Sequence, residues 1–325
     1  MRLAIFLCAL AALLAGCAGY AVKDVPEVLR EQGPDPGVFF CKQDNCSWHL
    51  EELILSAQSS VHCAFYDLDL QNIIAALGEQ SRHAEVRVVL DDEPYEGMVS
   101  GDGVLVEDRS SRMHNKFCVV DGMYVWTGSF NPTTADNDVN DNNAVLMSSY
   151  YLAKNYEQEF GELWMGEFSA GSRVPYPSFV HNGMLVENAF CPEDRCEEKV
   201  ASLLGNASVS VYVMVFSFTS EKIADAMLFR RDAEMRGVFD SSQAGSSYSQ
   251  YRRLLGFGLP VRKDKGKGKL HHKVFIIDNE TVITGSYNPT ASGSGENDEN
   301  VLILHDQGIA RRYAGEFFRL WEAAS

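Results

Sequence analysis

The stretch His114-Asn115-Lys116-Phe117-Cys118-Val119-Val120-Asp121-Gly122-Met123-Tyr124-Val125-Trp126-Thr127-Gly128-Ser129-Phe130-Asn131 returns later in the chain. Its second copy is His271-His272-Lys273-Val274-Phe275-Ile276-Ile277-Asp278-Asn279-Glu280-Thr281-Val282-Ile283-Thr284-Gly285-Ser286-Tyr287-Asn288. Both copies run His-x-Lys, four residues, Asp, then Gly-Ser-x-Asn. Asp121-Gly122 and Asp278-Asn279 are hairpin-turn signals between apolar runs, so each copy reads as two antiparallel strands. Residues two apart on a strand share a face, so His114 projects with Lys116 and His271 with Lys273. Asn115 and His272 then point the other way, which selects His271 over His272. Asp121 and Asp278 are turn-formers. Gly128 permits a tight exit that brings Ser129 and Asn131 back towards the His-Lys pair, as Ser286 and Asn288 are brought back in the second copy.

The repetition extends outward. Phe40-Cys41-Lys42-Gln43-Asp44-Asn45-Cys46 matches Phe190-Cys191-Pro192-Glu193-Asp194-Arg195-Cys196, 150 positions later. Helical patterns follow (Leu50 to Ala57; Val200 to Leu204), then β-rich runs from Ser60 to Tyr66 and Ser210 to Phe216. Further helices (near Leu70 to Leu77; Ser220 to Leu228) and strands (Val86 to Asp91; Val238 to Asp240) precede the His-Lys blocks. Amphipathic helices, Tyr156 to Trp164 and Tyr313 to Trp321, close the halves. Strands alternating with helices predict an α/β fold, internally duplicated, with two mixed-sheet α-β-α halves and one active site at their interface. The expected boundaries are 38–170 and 186–325, joined by a junction at 171–185 that carries Pro175 and Pro177.

The 325 residues carry 28 Lys and Arg against 45 Asp and Glu, a net charge of -17. That balance argues against whole-surface binding to nucleic acid, which rests on basic side chains displacing counterions. An apolar run from Leu3 to Leu14, ending in Leu14-Ala15-Gly16-Cys17, resembles a bacterial lipoprotein signal. Residues 1–16 are therefore expected to be cleaved, Cys17 to be lipidated, and 17–37 to form a tether. The expected location is the cell envelope, exported and membrane-anchored. Cys41/Cys46 and Cys191/Cys196 recur at one spacing, which in an exported chain reads as a small disulfide in each half. Cys41, Cys46 and His49 form an alternative zinc set with no counterpart in the second half. Cys63 and Cys118 are either buried thiols or bonded to each other. Trp126, Trp164 and Trp321 fall on apolar faces and read as core.

Two imidazoles, two ammonium groups and two amides around one point suit a phosphodiester. Lys116, Lys273, Asn131 and Asn288 would hold non-bridging oxygens while one His attacks phosphorus and the other protonates the leaving oxygen. No metal or other cofactor is expected.

These blocks resemble the phospholipase D superfamily, with its doubled His-x-Lys-x4-Asp motif and trailing Gly-Ser-x-Asn. The likeness covers about residues 38–325 and is similar in compactness to the small bacterial endonucleases and mitochondrial cardiolipin hydrolases of that family. Those carry one motif per chain and dimerise; this chain, with two, is expected to act as a monomer. The resemblance implies a phosphohistidine intermediate. The family also has an acidic residue eleven positions after the motif Asn, orienting the catalytic His. Here it is Glu299, followed by Asn300, in the second half, and Asn142, followed by Asn143 and preceded by Asp141, in the first. Glu299 is expected beside His271, favouring the imidazolium of a general acid, and Asn142 beside His114, leaving a neutral nucleophile. Asp141 is the one neighbour that would erase this asymmetry. Three functions follow: a phosphodiesterase acting on phospholipid, an extracellular endonuclease, or a catalytically silent lipoprotein that binds phosphate headgroups. Phospholipid is favoured over nucleic acid. Arg262, Lys263, Lys265, Lys267 and Lys269 read either as a solvated loop or as an anionic-substrate lip.

Overall fold

The computed structural model describes residues 28–325 except 231. The stretch expected to be a cleaved signal, 1–16, and the expected lipidation residue Cys17 lie outside the described residues. The first half supplies β2 (Gly37–Phe40), β3 (Ser60–Phe65), β4 (Glu85–Asp91), β5 (Val104–Glu107), β6 (Lys116–Val120), β7 (Tyr124–Gly128) and β8 (Asn143–Ser148), after a two-residue strand β1 (Arg30–Glu31). The second half supplies β9 (Ser178–His181), β10 (Met184–Cys191), β11 (Ser210–Val215), β12 (Glu234–Phe239), β13 (Val261–Lys263), β14 (Lys273–Ile277), β15 (Thr281–Gly285) and β16 (Glu299–His305). One sheet has the order β2-β8-β7-β6-β3-β4-β5. The other repeats it as β10-β16-β15-β14-β11-β12-β13 and adds β9 and β1 at its edge. In each seven-strand repeat the last three strands are mutually parallel and the rest antiparallel, while the added β1 pairs with β9 in parallel. The fold is α/β, with two mixed sheets and an internal duplication.

The closing helices, Tyr150–Trp164 and Gln307–Ala323, lie in one apolar layer between the sheets. Their buried faces recur at helical spacing: Leu152, Tyr156, Phe160 and Leu163 in one, Ile309, Tyr313, Phe317 and Leu320 in the other. Each such side chain contributes roughly 1.5–3 kcal/mol when fully buried, so this layer ties the halves into one body. The helices Cys46–Leu55 and Gln71–Gln80 cover the outer face of the first sheet, and Cys196–Gly205 and Glu221–Phe229 that of the second.

The segment expected as a tether is in part a strand. Arg30–Glu31 pairs in parallel with Val180 and His181 of β9. The Glu31 carboxylate accepts from Tyr150 N at 2.9 Å and from the Ser149 hydroxyl, and meets His181 Nδ1 at 3.1 Å. That carboxylate sits at a helix N-terminus, where negative charge is stabilised. The expected junction likewise contains β9 and the start of β10.

Three disulfides staple the halves. Cys41–Cys46 and Cys191–Cys196 close the small loops. Cys63 and Cys118, register partners on β3 and β6, are bonded to each other. The cysteines of the alternative zinc set are thus oxidised, and His49 stacks on Phe39 with ring centroids 4.0 Å apart. Trp126 is fully buried, and Trp164 and Trp321 pack against the central layer.

Both motif aspartates are turn-formers. Asp121 and Gly122 have φ of 55° and 59°, and Asp278 and Asn279 have 55° and 53°. Each carboxylate also grips the start of a neighbouring strand. Asp121 accepts from the backbone of Gln58, Ser59 and Ser60 at 2.7–3.1 Å, and Asp278 from Ser208, Val209 and Ser210. These bonds hold both carboxyls below the usual range despite the opposing effect of burial. Asp121→Ala is expected to cost about 2–4 kcal/mol, from lost charge-assisted bonds and a left-handed residue made non-ideal. Denaturant titration measures this. Because the folded pKa is depressed, the Asp121 contribution should be present above the ordinary Asp pKa and fade as pH falls through the folded value.

Candidate active site

Gly128 and Gly285 leave β7 and β15 at φ of 150° and 133°, and a Cβ at either would lie 2.3 Å from the carbonyl oxygen of Asn143 or Asn300. Only glycine allows that approach. Ser129 and Ser286 hydroxyls then accept from the backbone N of Asn143 and Asn300 at 3.0 and 2.9 Å. The Gly-Ser pair thus welds the hairpin to the first residues of β8 and β16, whose side chains cross between halves. Asn143 Nδ2 donates to Thr284 and Tyr313 of the second half, and its Oδ1 meets His272 Nδ1 at 2.9 Å. Asn300 meets the equivalent first-half partners with the polarity reversed: its Oδ1 accepts from the Thr127 and Tyr156 hydroxyls, and its Nδ2 donates to Asn115 Oδ1. Asn115 and His272 therefore point inward, into this clasp.

His114, Lys116, His271 and Lys273 are all buried, and both histidines line one cleft of about 1140 Å³ between the halves. Each lysine Nζ donates to the carbonyl of the histidine two residues before it. Tyr66 and Phe216, 150 positions apart, end the equivalent strands. Their rings flank His114 and His271 at 5.0 and 5.1 Å, and Lys116 and Lys273 lie 5.1 and 5.6 Å over the same rings. Asn131 and Asn288 line the cleft, and the side-chain oxygen of each is buried without a partner.

The orienting residues are exchanged relative to the sequence expectation. Glu299 Oε2 meets His114 Nδ1 at 2.9 Å, and Asn142 Oδ1 meets His271 Nδ1 at 2.9 Å. The cause is backbone pairing across the halves. His114 N donates to Asp298 O, and Asp298 N to Arg112 O; His271 N donates to Asp141 O, and Asp141 N to Lys269 O. These ladders set each strand start beside the opposite histidine. Glu299 therefore does not serve His271, nor Asn142 His114. The Asp141 carboxylate is consumed by Lys42 and Arg319, both at 2.7 Å, and does not reach His114. Asp136, which the sequence reading passed over, lies 3.4 Å from His271 Nδ1. Its available signal was the mismatch between copies, since Gly293 occupies the equivalent position.

Both rings are pushed towards neutrality. Burial depresses the His114 pKa well below the ordinary value, and Lys116, Lys273 and His271 add to the effect. Burial and Lys273 take His271 to about 4, against the pull of Asp136. Burial lowers Lys116 to about 8, opposed by Glu299 and Asp136, and depresses Lys273 well below the ordinary lysine value, with Lys116 adding repulsion. Burial raises Glu299 to about 8 against the pull of Lys116. The cleft is thus walled by desolvated lysines and imidazoles. An anion placed among them relieves the repulsion.

Of the basic segment, Lys269 lines the cleft and Lys265 and Lys267 are exposed. Arg262 instead stacks over Trp321 and donates to its carbonyl at 2.7 Å, and Lys263 pairs by backbone with Ser325. Arg252 and Arg253, in a loop and short helix without a first-half counterpart, also line the cleft. Among the described residues no group of three or more His, Cys, Asp or Glu side chains is arranged to hold a metal ion. Among them too, no helix is long and apolar enough to cross a membrane.

Paired His-Lys sets on twofold-repeated strands, with Gly-Ser-x-Asn clasps behind them, define a duplicated phosphoryl-transfer scaffold. The family model described as cardiolipin synthase, PLD-like domain, matches residues 50–164 and 200–321. The chain belongs to this phospholipase D-like family. It is 39% identical over 125 residues to a mitochondrial cardiolipin hydrolase of Xenopus laevis, covering 38% of this chain and 59% of that protein. It is 34% identical over 133 residues to a phospholipase D of Rickettsia felis, covering 39% and 65%. The matches thus span about three fifths to two thirds of these relatives. The crystal structure of a phosphatidylserine synthase from Haemophilus influenzae shares the fold over 92% of this chain and 88% of its own, with TM-score 0.67 and 12% identity.

Proposed function

We propose that the protein is a phosphodiesterase of phospholipase D type that hydrolyses phospholipid through a phosphohistidine. The observation that carries this reading is the cleft lined by both histidines, each with its buried lysine two residues on and each ring held at Nδ1 by the opposite half. With Nδ1 engaged, Nε2 is the nitrogen available for chemistry. His114, neutral and oriented by Glu299, attacks phosphorus through Nε2. The bond from phosphorus to the leaving oxygen breaks, and His271 gives that oxygen its proton. A water then loses a proton to His271 and attacks the same phosphorus, freeing His114. Lys116 and Lys273, with Asn131 and Asn288, hold the non-bridging oxygens and stabilise the charge that develops there. The arriving phosphate offsets the two ammonium charges, so it raises the His271 pKa and loads the acid only when substrate is bound.

The substrate class is supported by the names of the relatives, by the acidic balance of the chain and by the lipoprotein-like start ending at Cys17. That start supports a lipid-anchored location at the cell envelope, and the doubled motif in one chain supports action as a monomer. Anchor-free protein should release headgroup from mixed phospholipid vesicles at a higher kcat/KM than it cleaves single- or double-stranded DNA or RNA. The rate should survive exhaustive chelation. Preferential cleavage of nucleic acid would transfer the reading to an endonuclease. Binding of vesicles without turnover would make the protein a headgroup-binding lipoprotein. Activity restored only by added metal would overturn the metal-free mechanism.

A further inference from the structure

The two halves place their acidic residues differently. Position 142 is Asn where the second half has Glu299, and position 136 is Asp where the second half has Gly293. The single helical turns that carry 136 and 293, Thr134–Asp138 and Ala291–Gly295, are otherwise alike, with Thr133 and Thr290 hydroxyls accepting from the backbone N of Asp136 and Gly293. A Cβ at 293 would lie 2.3 Å from Asn288 O, so the second half has no room for the same device. Each half thus carries one carboxylate towards the opposite histidine, from a strand in one case and from a turn in the other.

Asp136 is 4% exposed and held firmly. Its Oδ2 accepts from Asn131 N at 3.0 Å and Nδ2 at 2.9 Å, and its Oδ1 from Asn140 Nδ2 at 2.7 Å. Burial opposes its charge, but His271 and these donors hold the carboxyl well below the usual range. A fixed carboxylate therefore stands 3.4 Å from His271 Nδ1, beside the closer Asn142 amide oxygen at 2.9 Å.

We infer that Asp136 is a positioning residue for His271, supplying from the turn after Asn131 the negative charge that Asn142 lacks. The inference rests on the assignment of His271 as general acid. Other charges bear on this ring: Lys273 on its own strand and Lys116 and His114 across the cleft, while Lys269 and Asp67 line the same cleft. The cations disfavour the imidazolium, and Asp136 is the acid in direct reach that opposes them. Asn142 sets ring direction and Asp136 sets charge. The same residue also fixes Asn131, so it couples the amide that faces phosphate to the acid.

Two measurements test this. The first is the His271 titration by NMR in substrate-free protein, which does not depend on turnover. Asp136→Asn should move that titration to lower pH. Asn142→Asp alone should move it to higher pH, and the double variant should return it close to the parent. A titration unmoved by both single changes overturns the inference whatever the activity. The second is kinetic. Asp136→Asn should slow a substrate with an alkyl alcohol leaving group by about 10–100-fold, a share of what a general acid supplies. The alkaline limb of its kcat profile should move to lower pH, and Asn142→Asp should rescue both effects. With a p-nitrophenyl leaving group, which departs unprotonated, the loss should be at least tenfold smaller. Equal losses on both leaving groups with an unmoved limb would make Asp136 merely structural and overturn the inference. Should Asp136→Asn fail to fold, Asn142→Asp still decides through the titration. Full alkyl-substrate activity in His271→Ala would instead remove the general-acid assignment itself, a distinct failure.

Discussion

Replacing either His114 or His271 with alanine should lower kcat/KM on an alkyl phosphodiester by about 10⁴-fold or more, with unfolding midpoints close to the parent. The two histidines come from separate halves, yet both line one cleft, and each is oriented by a residue of the other half. In the proposed mechanism one supplies the bond to phosphorus and the other the proton, so neither half could complete a turnover alone. The double variant should be little worse than either single one, because groups acting on one transition state are not additive. Two independent half-sites would give a different result: each single variant would keep about half the activity and only the double would lose it. That pattern would overturn the shared cleft. Stability is a useful control, since burying an imidazole beside Lys116 or Lys273 is unfavourable and its removal need not destabilise the fold.

Much of this architecture was written in repetition. The spacing of His114, Lys116, Asp121 and Gly128, matched at 271, 273, 278 and 285, fixed the hairpin, its turn and its glycine exit, because each is a local consequence of strand period and left-handed backbone. The same logic separated His271 from His272. Local pattern does not say which half a side chain will face. Glu299 follows Asn288 in sequence, but Asp298 pairs with the strand start at Met113, and that non-local bridge decides that Glu299 meets His114. Asp136 was hidden for a related reason: a lone Asp in a short helix reads as a cap until Nδ1 of His271 is found beside it. Arg30–Glu31 is too short to show any period, and its place depends on the exposed N-terminus of the helix from Tyr150. Cys63 and Cys118 were legible as core positions, while their bond depends on register between β3 and β6.

The covalent intermediate should carry its phosphoryl group on His114. His271→Asn, given a p-nitrophenyl phosphodiester, should accumulate it, because the first step no longer needs an acid while the second still lacks its base. A burst of p-nitrophenol and peptide mapping under neutral to alkaline conditions would locate the group. Three features favour His114. Burial and the two lysines keep its ring neutral, as attack requires. Glu299 holds Nδ1 at 2.9 Å, so Nε2 is fixed for attack; burial raises its carboxyl to about 8, and the positive ring formed by phosphorylation draws it into the ionised form, so the charged partner is present where it is needed. His271 instead has Asn142 and the fixed Asp136 charge, a pairing suited to a ring that gains and loses a proton. Glu299→Gln should therefore keep the ring oriented but lose the charge, lowering kcat by about 10²-fold, the scale of one removed electrostatic stabiliser. It should leave the alkaline limb of the kcat profile, which belongs to His271, close to its parent position. A limb that moved with Glu299 and not with Asp136 would return Glu299 to the acid. A phosphoryl group found on His271 would exchange the two roles while leaving the reaction class intact, since the cleft is built from both halves alike.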